Sequence, residues 1–312
     1  MIGHDRIVIV GAGHVGSTAA YALMLRALFE EIVLIDSDAA LAEAEAADLS
    51  DANALARPAR IWAGSYADAA TAQIAVITAG AATHGAESRL SVASQSAMIV
   101  ATCVGKLVQA GFTGIILVAA NPVDLMTLVA LRRSGFAAAR VIGTGTLLDS
   151  SRLKQTLAES LRVAAGSIDG VVLGEHGDTE VAAFSTVLVG GLPLGDFCPP
   201  GQELDQDQIA TEVRDAGYRI VQGKGYTSFG VATAIVRICE VILRDERAVL
   251  PVSTLLTGQY GIADVCLSLP CILGAGGVER TLSPTLTHSE TAALVASAKA
   301  LQQALASMDL AS

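Results

Sequence analysis

The sequence predicts an α/β fold: a doubly wound parallel sheet with helices on both faces, followed by an α+β C-terminal domain. Three observations carry this. Short apolar runs alternate with helical stretches through the first half of the chain. The first run ends in a glycine-rich turn that opens a helix. From about Gly145 the alternation gives way to a different pattern, which divides the chain into domains 1–144 and 145–312.

The strand-like stretches are 6–10, 31–36, 60–63, 74–78, 114–118 and 140–142, and the helical ones include 15–28, 88–110 and 123–133. Stretch 6–10 leads into Gly11-Ala12-Gly13-His14-Val15-Gly16. In a Rossmann-type nucleotide site the first glycine makes the turn and the second lets a pyrophosphate approach the backbone. The third lets helix pack on strand, and the helix N-terminus adds partial positive charge. A bare GxGxxG is weak, but the next strand ends in Asp36, twenty residues past Gly16. A carboxylate there accepts hydrogen bonds from the adenosine ribose hydroxyls and repels a 2′-phosphate, which favours NAD over NADP. The expected cofactor contacts are Gly11, Gly13, Val15, Gly16 and Asp36, with Ala79, Gly80 and Asn121 from later strand ends.

Ligands of such a sheet gather at the carboxyl ends of its strands. After 74–78 comes a small-residue loop from Ala79 to Arg89 with glycines at 80 and 85; it reads as a lid that swings a cation over the site, or as a plain surface connection. After 114–118 comes Asn121-Pro122-Val123-Asp124, where proline fixes a helix start. Asn121 either caps that helix or touches a ligand, and its place at a strand end favours the ligand.

In the second half, Asp149 and Arg152 are three apart on a probable helix and share one face. On a surface they are an ordinary ion pair; in a closed site Arg152 clamps a carboxylate while Asp149 orients an imidazole. The imidazole is His176, in Gly174-Glu175-His176-Gly177-Asp178 after the apolar run 171–173. Histidine titrates near neutral pH and can exchange a proton with an alcohol or carbonyl. Further on, 180–189 reads as strand, 203–223 as helix, and 223–227 as a glycine turn before the apolar stretch 230–243. Stretches 247–256 and 265–273 suggest a hairpin or small antiparallel sheet, and 287–308 a closing amphipathic helix.

Composition narrows the partners. Hydrophobic residues make up 52% and charged residues 16%, enough to bury a large core and too apolar for disorder. A net charge of −11 without a Lys/Arg cluster argues against nucleic acid. No apolar run suits a membrane span, and the N-terminus does not read as a signal peptide. The five cysteines show no CxxC spacing, so a reduced, cytoplasmic protein without structural metal is expected.

Five segments occurring in order, the turn ending at Gly16, the Thr78-Ala79-Gly80 loop to Arg89, Asn121-Pro122-Val123-Asp124, the Asp149/Arg152 helix and the His176 turn, resemble the L-lactate and malate dehydrogenase family over essentially the whole chain. Stretches 143–149 and 223–233 look closest to L-2-hydroxyisocaproate dehydrogenases within it. The resemblance implies NAD-dependent, reversible hydride transfer, with His176 as acid/base, Asp149 as its partner and Arg152 as carboxylate clamp. It implies Arg89 as the lid arginine polarising the carbonyl and Asn121 as a substrate and cofactor contact.

It also implies that Thr83 stands where lactate enzymes carry glutamine and malate enzymes arginine. Without a fixed cation a dicarboxylate brings an unpaired charge into the site, so malate is disfavoured, incompletely, since His84 is adjacent. The pocket floor falls on Ala216 and Gly217 with Thr227 opposite; their small size, with the short Thr83, leaves room beyond a methyl group. The expected substrate is pyruvate or a bulkier monocarboxylic homologue such as 2-oxoisocaproate, although the longer lid of the hydroxyisocaproate enzymes is missing. Lys154 and Asp169 match positions where some members bind a sugar bisphosphate through two cations; an acidic residue there predicts no such activation. Self-association, as a homotetramer or dimer, is expected. Malate dehydrogenase is the alternative. An NAD-dependent glycosidase and a non-catalytic NAD-binding protein are remote ones, disfavoured by the absence of a Cys/His metal set and by the intact acid, clamp and lid residues.

Overall fold

The computed structural model describes residues 5–56, 59–81, 89–198 and 204–308, the side chains of 89–91 excepted. Six strands form the parallel sheet expected: β1 (Arg6–Val10), β2 (Glu31–Ile35), β3 (Arg60–Ala63), β4 (Ile74–Ile77), β5 (Ile115–Val118) and β6 (Val141–Gly143), in the spatial order β3-β2-β1-β4-β5-β6. The order reverses between β1 and β4, the place where a doubly wound sheet opens a ligand crevice.

Period-2 side-chain alternation makes each strand serve two cores. On one face Ile7, Ile9, Ile32, Leu34, Ile74 and Val76 pack with α1 (His14–Arg26), α2 (Ala39–Asn53) and α8 (Phe229–Leu243). On the other, Val8, Val10, Val33, Ala75, Ile77 and Ile116 pack with α3 (Arg89–Gln109), α4 (Val123–Ser134) and α9 (His288–Ser307). Fully burying one such side chain is worth about 1.5–3 kcal/mol, so strands buried on both faces need no polar alternation. Helix α1 ends two residues before its apolar pattern does, because Ala27 turns left-handed at φ 50 and closes it.

The later strands modify the expectation. β10 (Ala248–Thr257) and β11 (Ala263–Gly274) do form an antiparallel hairpin, extended by β12 (Gly277–Thr281), but it is no separate sheet. Ser253 of β10 pairs antiparallel with Gly143 of β6, so the hairpin extends the parallel sheet to nine strands among the described residues. A second sheet holds β7 (Ile168–Leu173), β8 (Val181–Val189) and β9 (Leu192–Pro193). A third core, with Leu153, Leu157, Val172, Val187, Leu194, Ile209 and Val213, packs α5 (Leu147–Leu161), the one-turn α6 (Leu194–Phe197) and α7 (Gln206–Lys224) against it. All five cysteines are free thiols. No helix among the described residues is long and apolar enough to cross a membrane.

Candidate active site

The dinucleotide turn is built by close approach. Gly11 sits at φ 107, and a β-carbon on it would lie 2.6 Å from the Ala79 nitrogen; one on Gly16 would lie 1.8 Å from the Gly11 carbonyl oxygen. Neither position has room for another residue. Gly13, by contrast, faces open space with nothing within 4 Å of such a carbon, which leaves the backbone approachable beside the α1 N-terminus. Thr78 Oγ1 donates to the Gly11 carbonyl (2.7 Å), and the Ala79 amide donates to Val10 (2.9 Å), tying the end of β4 to the turn. Asp36 follows β2 directly and accepts the amides of Ala12 (2.7 Å) and Asp38 (2.9 Å), fixing the carboxylate at the crevice. An open glycine, a free helix N-terminus and an oriented carboxylate fit NAD. Val15 lies in the first turn of α1, Gly80 is exposed past β4, and Asn121 is exposed past β5 before a cis bond to Pro122.

The histidine turn is held residue by residue. Gly174, at φ 88, exchanges two backbone hydrogen bonds with Ser268 of β11, each 3.0 Å. The Glu175 amide donates to Ser297 Oγ of α9 (3.0 Å) and the His176 amide to Asp124 Oδ2 of α4 (2.8 Å). Asp124 is 1% exposed and also accepts from Ser253 Oγ of β10 (2.6 Å). Helix α5 is pinned to β7 from its first turn: Thr146 Oγ1 donates to the Val172 carbonyl (2.5 Å), and the Val172 amide donates to Ser150 Oγ (2.9 Å). Asp149, on the same turn and 1% exposed, thereby meets the imidazole.

His176 Nδ1 donates to Asp149 Oδ2 at 2.5 Å, and Arg152 Nη1 donates to Asp149 Oδ1 at 2.8 Å. One buried carboxylate thus sits between an imidazole and a guanidinium, the three groups drawn from α5 and the turn after β7. Burial alone lowers the His176 pKa, but the Asp149 charge and hydrogen bond, with Asp124 and Glu180 beyond, outweigh it and set the value at about 9. Asp124 is pushed up to about 6 by burial, against the lowering effect of Ser253 and the His176 amide.

Two participants carry no assigned role in the sequence reading. Asp124 was legible only as part of the Asn121-Pro122 motif, and Glu180 as the start of a strand. A carboxylate oxygen each of Glu180 and Asp149 and a ring nitrogen of His176 all lie within 4.8 Å of one another, and Glu180 Oε1 is buried without a hydrogen-bond partner. Burial and the repulsion of Asp149 raise its pKa. A carboxylate four residues past a candidate catalytic histidine, just before an apolar strand, is the signal that could have found it.

Gly217 on α7 faces the clamp: a β-carbon there would lie 3.9 Å from Arg152 Nη2. Thr227 is half-buried in the segment between α7 and α8. Thr83, His84 and the Arg89 side chain fall outside the described residues.

Residues 5–143 match the model of the lactate/malate dehydrogenase NAD binding domain, and residues 146–309 that of the family's alpha/beta C-terminal domain. The chain belongs to the lactate/malate dehydrogenase family. Within that family it is 39% identical over 309 residues, 98% of each chain, to the L-lactate dehydrogenase of Acetivibrio thermocellus. It is 40% identical to that of Latilactobacillus sakei subsp. sakei over 302 residues, 96% of this chain and 93% of the relative. The crystal structure of the minor L-lactate dehydrogenase from Enterococcus mundtii in its ligands-bound form superposes with a TM-score of 0.95 at 36% identity, covering 99% of each chain. Such similarity across both domains means that the fold and the crevice are those of the family throughout.

Proposed function

We propose that this chain is an NAD-dependent L-lactate dehydrogenase-type enzyme, interconverting a monocarboxylic 2-oxo acid and its L-2-hydroxy acid. The observation that carries the reading is the meeting of His176, Asp149 and Arg152 around one buried carboxylate. The curated relatives named L-lactate dehydrogenase support it.

Gly11, Gly13, Val15, Gly16, Asp36, Ala79, Gly80 and Asn121 would hold the dinucleotide, which when bound supplies or accepts the hydride. The protein's own part is charge management. Arg152 binds the substrate carboxylate through its guanidinium fork and so fixes which face of C2 meets the crevice. As negative charge grows on the substrate oxygen, His176 Nε2 gives it a proton, while Asp149 holds Nδ1–H and stabilises the cation beforehand. Arg89 is assigned the polarising cation of the closing loop, and Asp124 keeps the histidine backbone in place. In the opposite direction neutral His176 takes the hydroxyl proton.

The substrate reading rests on Thr83, Gly217 and Thr227: a threonine rather than a cation where a second carboxylate would need one, and a glycine rather than a side chain facing Arg152. Self-association as a homotetramer or dimer belongs to the same proposal. Tyr21, Leu25 and Phe229 are exposed on α1 and α8, and a largely apolar cavity of about 610 Å³ opens between α1, α5 and α8. Cytoplasmic residence, with the five cysteines as free thiols, belongs to it too. The test is kcat/KM for pyruvate, 2-oxoisocaproate, phenylpyruvate and oxaloacetate with NADH and with NADPH. Monocarboxylic acids with NADH are expected first; oxaloacetate in first place overturns the substrate reading.

A further inference from the structure

The mechanism leaves two rings unused, and they stack on each other. His14, the first residue of α1 and part of the dinucleotide turn, stacks on Tyr226 with ring centroids 3.8 Å apart and an interplanar angle of 11°. Tyr226 belongs to the short segment between α7 and α8, and the residue after it is Thr227. That segment follows Gly225, which closes α7 at φ 88. Lys224 spans it, with Nζ 4.3 Å from the centroid of Tyr226 and 3.9 Å from that of Phe229, and donates to Ser228 Oγ at 3.3 Å. The stack reaches from this segment to the turn beside Gly13.

We propose that His14 and Tyr226 are a pair of positioning residues: their stack registers the Thr227 segment on the cofactor turn and so sets affinity for the 2-oxo acid. The reasoning is geometric. A peptide segment flanked by a glycine has many conformations open to it, and fixing one ring removes most of them for the adjoining residue. His14 lies between Gly13 and Val15, so whatever seats at the α1 N-terminus orders the histidine backbone as well. Thr227 is then held at the substrate side by the same turn that receives the dinucleotide. The stack requires aromaticity rather than charge, so phenylalanine at position 14 preserves it.

This inference rests on the assignment of Thr227 to the substrate pocket, and the variants separate the two. KM and kcat for pyruvate and the Kd for NADH are measured for wild type, His14→Ala, His14→Phe, Tyr226→Leu and Thr227→Ala. Loss of the stack is expected to raise KM about three- to tenfold, the range of an aromatic pair's contribution, with His14→Phe restoring KM and with Tyr226→Leu, which leaves the dinucleotide turn intact, keeping kcat and NADH affinity within about twofold. Thr227→Ala raises KM by itself, and adding His14→Ala to it gives little further change. A raised KM in Thr227→Ala with none in His14→Ala overturns the stack's role alone. An unchanged KM in Thr227→Ala removes the pocket assignment and the proposal with it. A rise in NADH Kd in step with KM in Tyr226→Leu makes the stack a cofactor contact and also overturns it.

Discussion

Nδ1 of His176 and Oδ2 of Asp149 lie 2.5 Å apart, and the other oxygen of the same carboxylate is held by Arg152. Replacing Asp149 with asparagine keeps the shape and removes the charge. The reduction kcat is expected to fall about 100-fold or more, the scale of a general acid's contribution. The pH midpoint of kcat/KM should drop from about 9 toward an ordinary histidine value of about 6.5. An unmoved midpoint would show that Asp149 does not set the imidazole's charge.

The raised His176 pKa fixes opposite pH limbs for the two directions. Reduction starts from the protonated ring, so its kcat/KM is level below about pH 9 and falls above it; oxidation needs the neutral ring and rises toward the same pH. Asp149 comes before Glu180 among the groups that raise this pKa, so Glu180→Gln should lower both midpoints by less than Asp149→Asn does. Profiles of both reactions for the two variants decide it, and a larger shift in Glu180→Gln would reverse the ranking.

Arg152→Lys keeps the charge and loses the fork. A charge-assisted hydrogen bond is worth about 1.5–3 kcal/mol, so KM for the oxo acid should rise about 10- to 100-fold. NADH affinity, titrated by fluorescence, should stay put. If lysine serves as well as arginine, bidentate clamping is the wrong description.

Gly217 offers a test of pocket size. An alanine β-carbon at 3.9 Å from Arg152 Nη2 is an ordinary contact, and Gly→Ala within a helix gains up to about 1 kcal/mol. Gly217→Ala should melt slightly higher and still turn over pyruvate. Gly217→Leu should lose 2-oxoisocaproate and phenylpyruvate before pyruvate; uniform loss across the series would remove Gly217 from the pocket.

Lys154 Nζ lies 3.8 Å from Asp169 Oδ1, so the cation already has an anionic neighbour. Titrating a sugar bisphosphate into the assay is expected to leave KM for pyruvate unchanged, since Asp169 repels the phosphate that Lys154 would attract. A hyperbolic drop in KM would show a bisphosphate site.

The sequence by itself determined whatever is local. A glycine-rich turn in which the Gly11 carbonyl leaves no room for a side chain at Gly16, a carboxylate ending the second strand, and strands apolar on both faces are each legible from residues a few positions apart, and they specify the dinucleotide half; that Gly11 too must be glycine follows from Ala79 at the end of β4. The Asp149/Arg152 spacing is local in the same way, through the helical repeat. The tertiary structure alone decided what depends on distant segments meeting. That the 248–274 hairpin extends the parallel sheet through Ser253 and Gly143, that Asp124 anchors the His176 amide, and that Glu180 joins the charged cluster all follow from pairing between elements far apart in the chain. A period of two or 3.6 residues states which face is buried, but not which partner buries it, because burial is non-directional and only the packed whole selects among equally apolar surfaces.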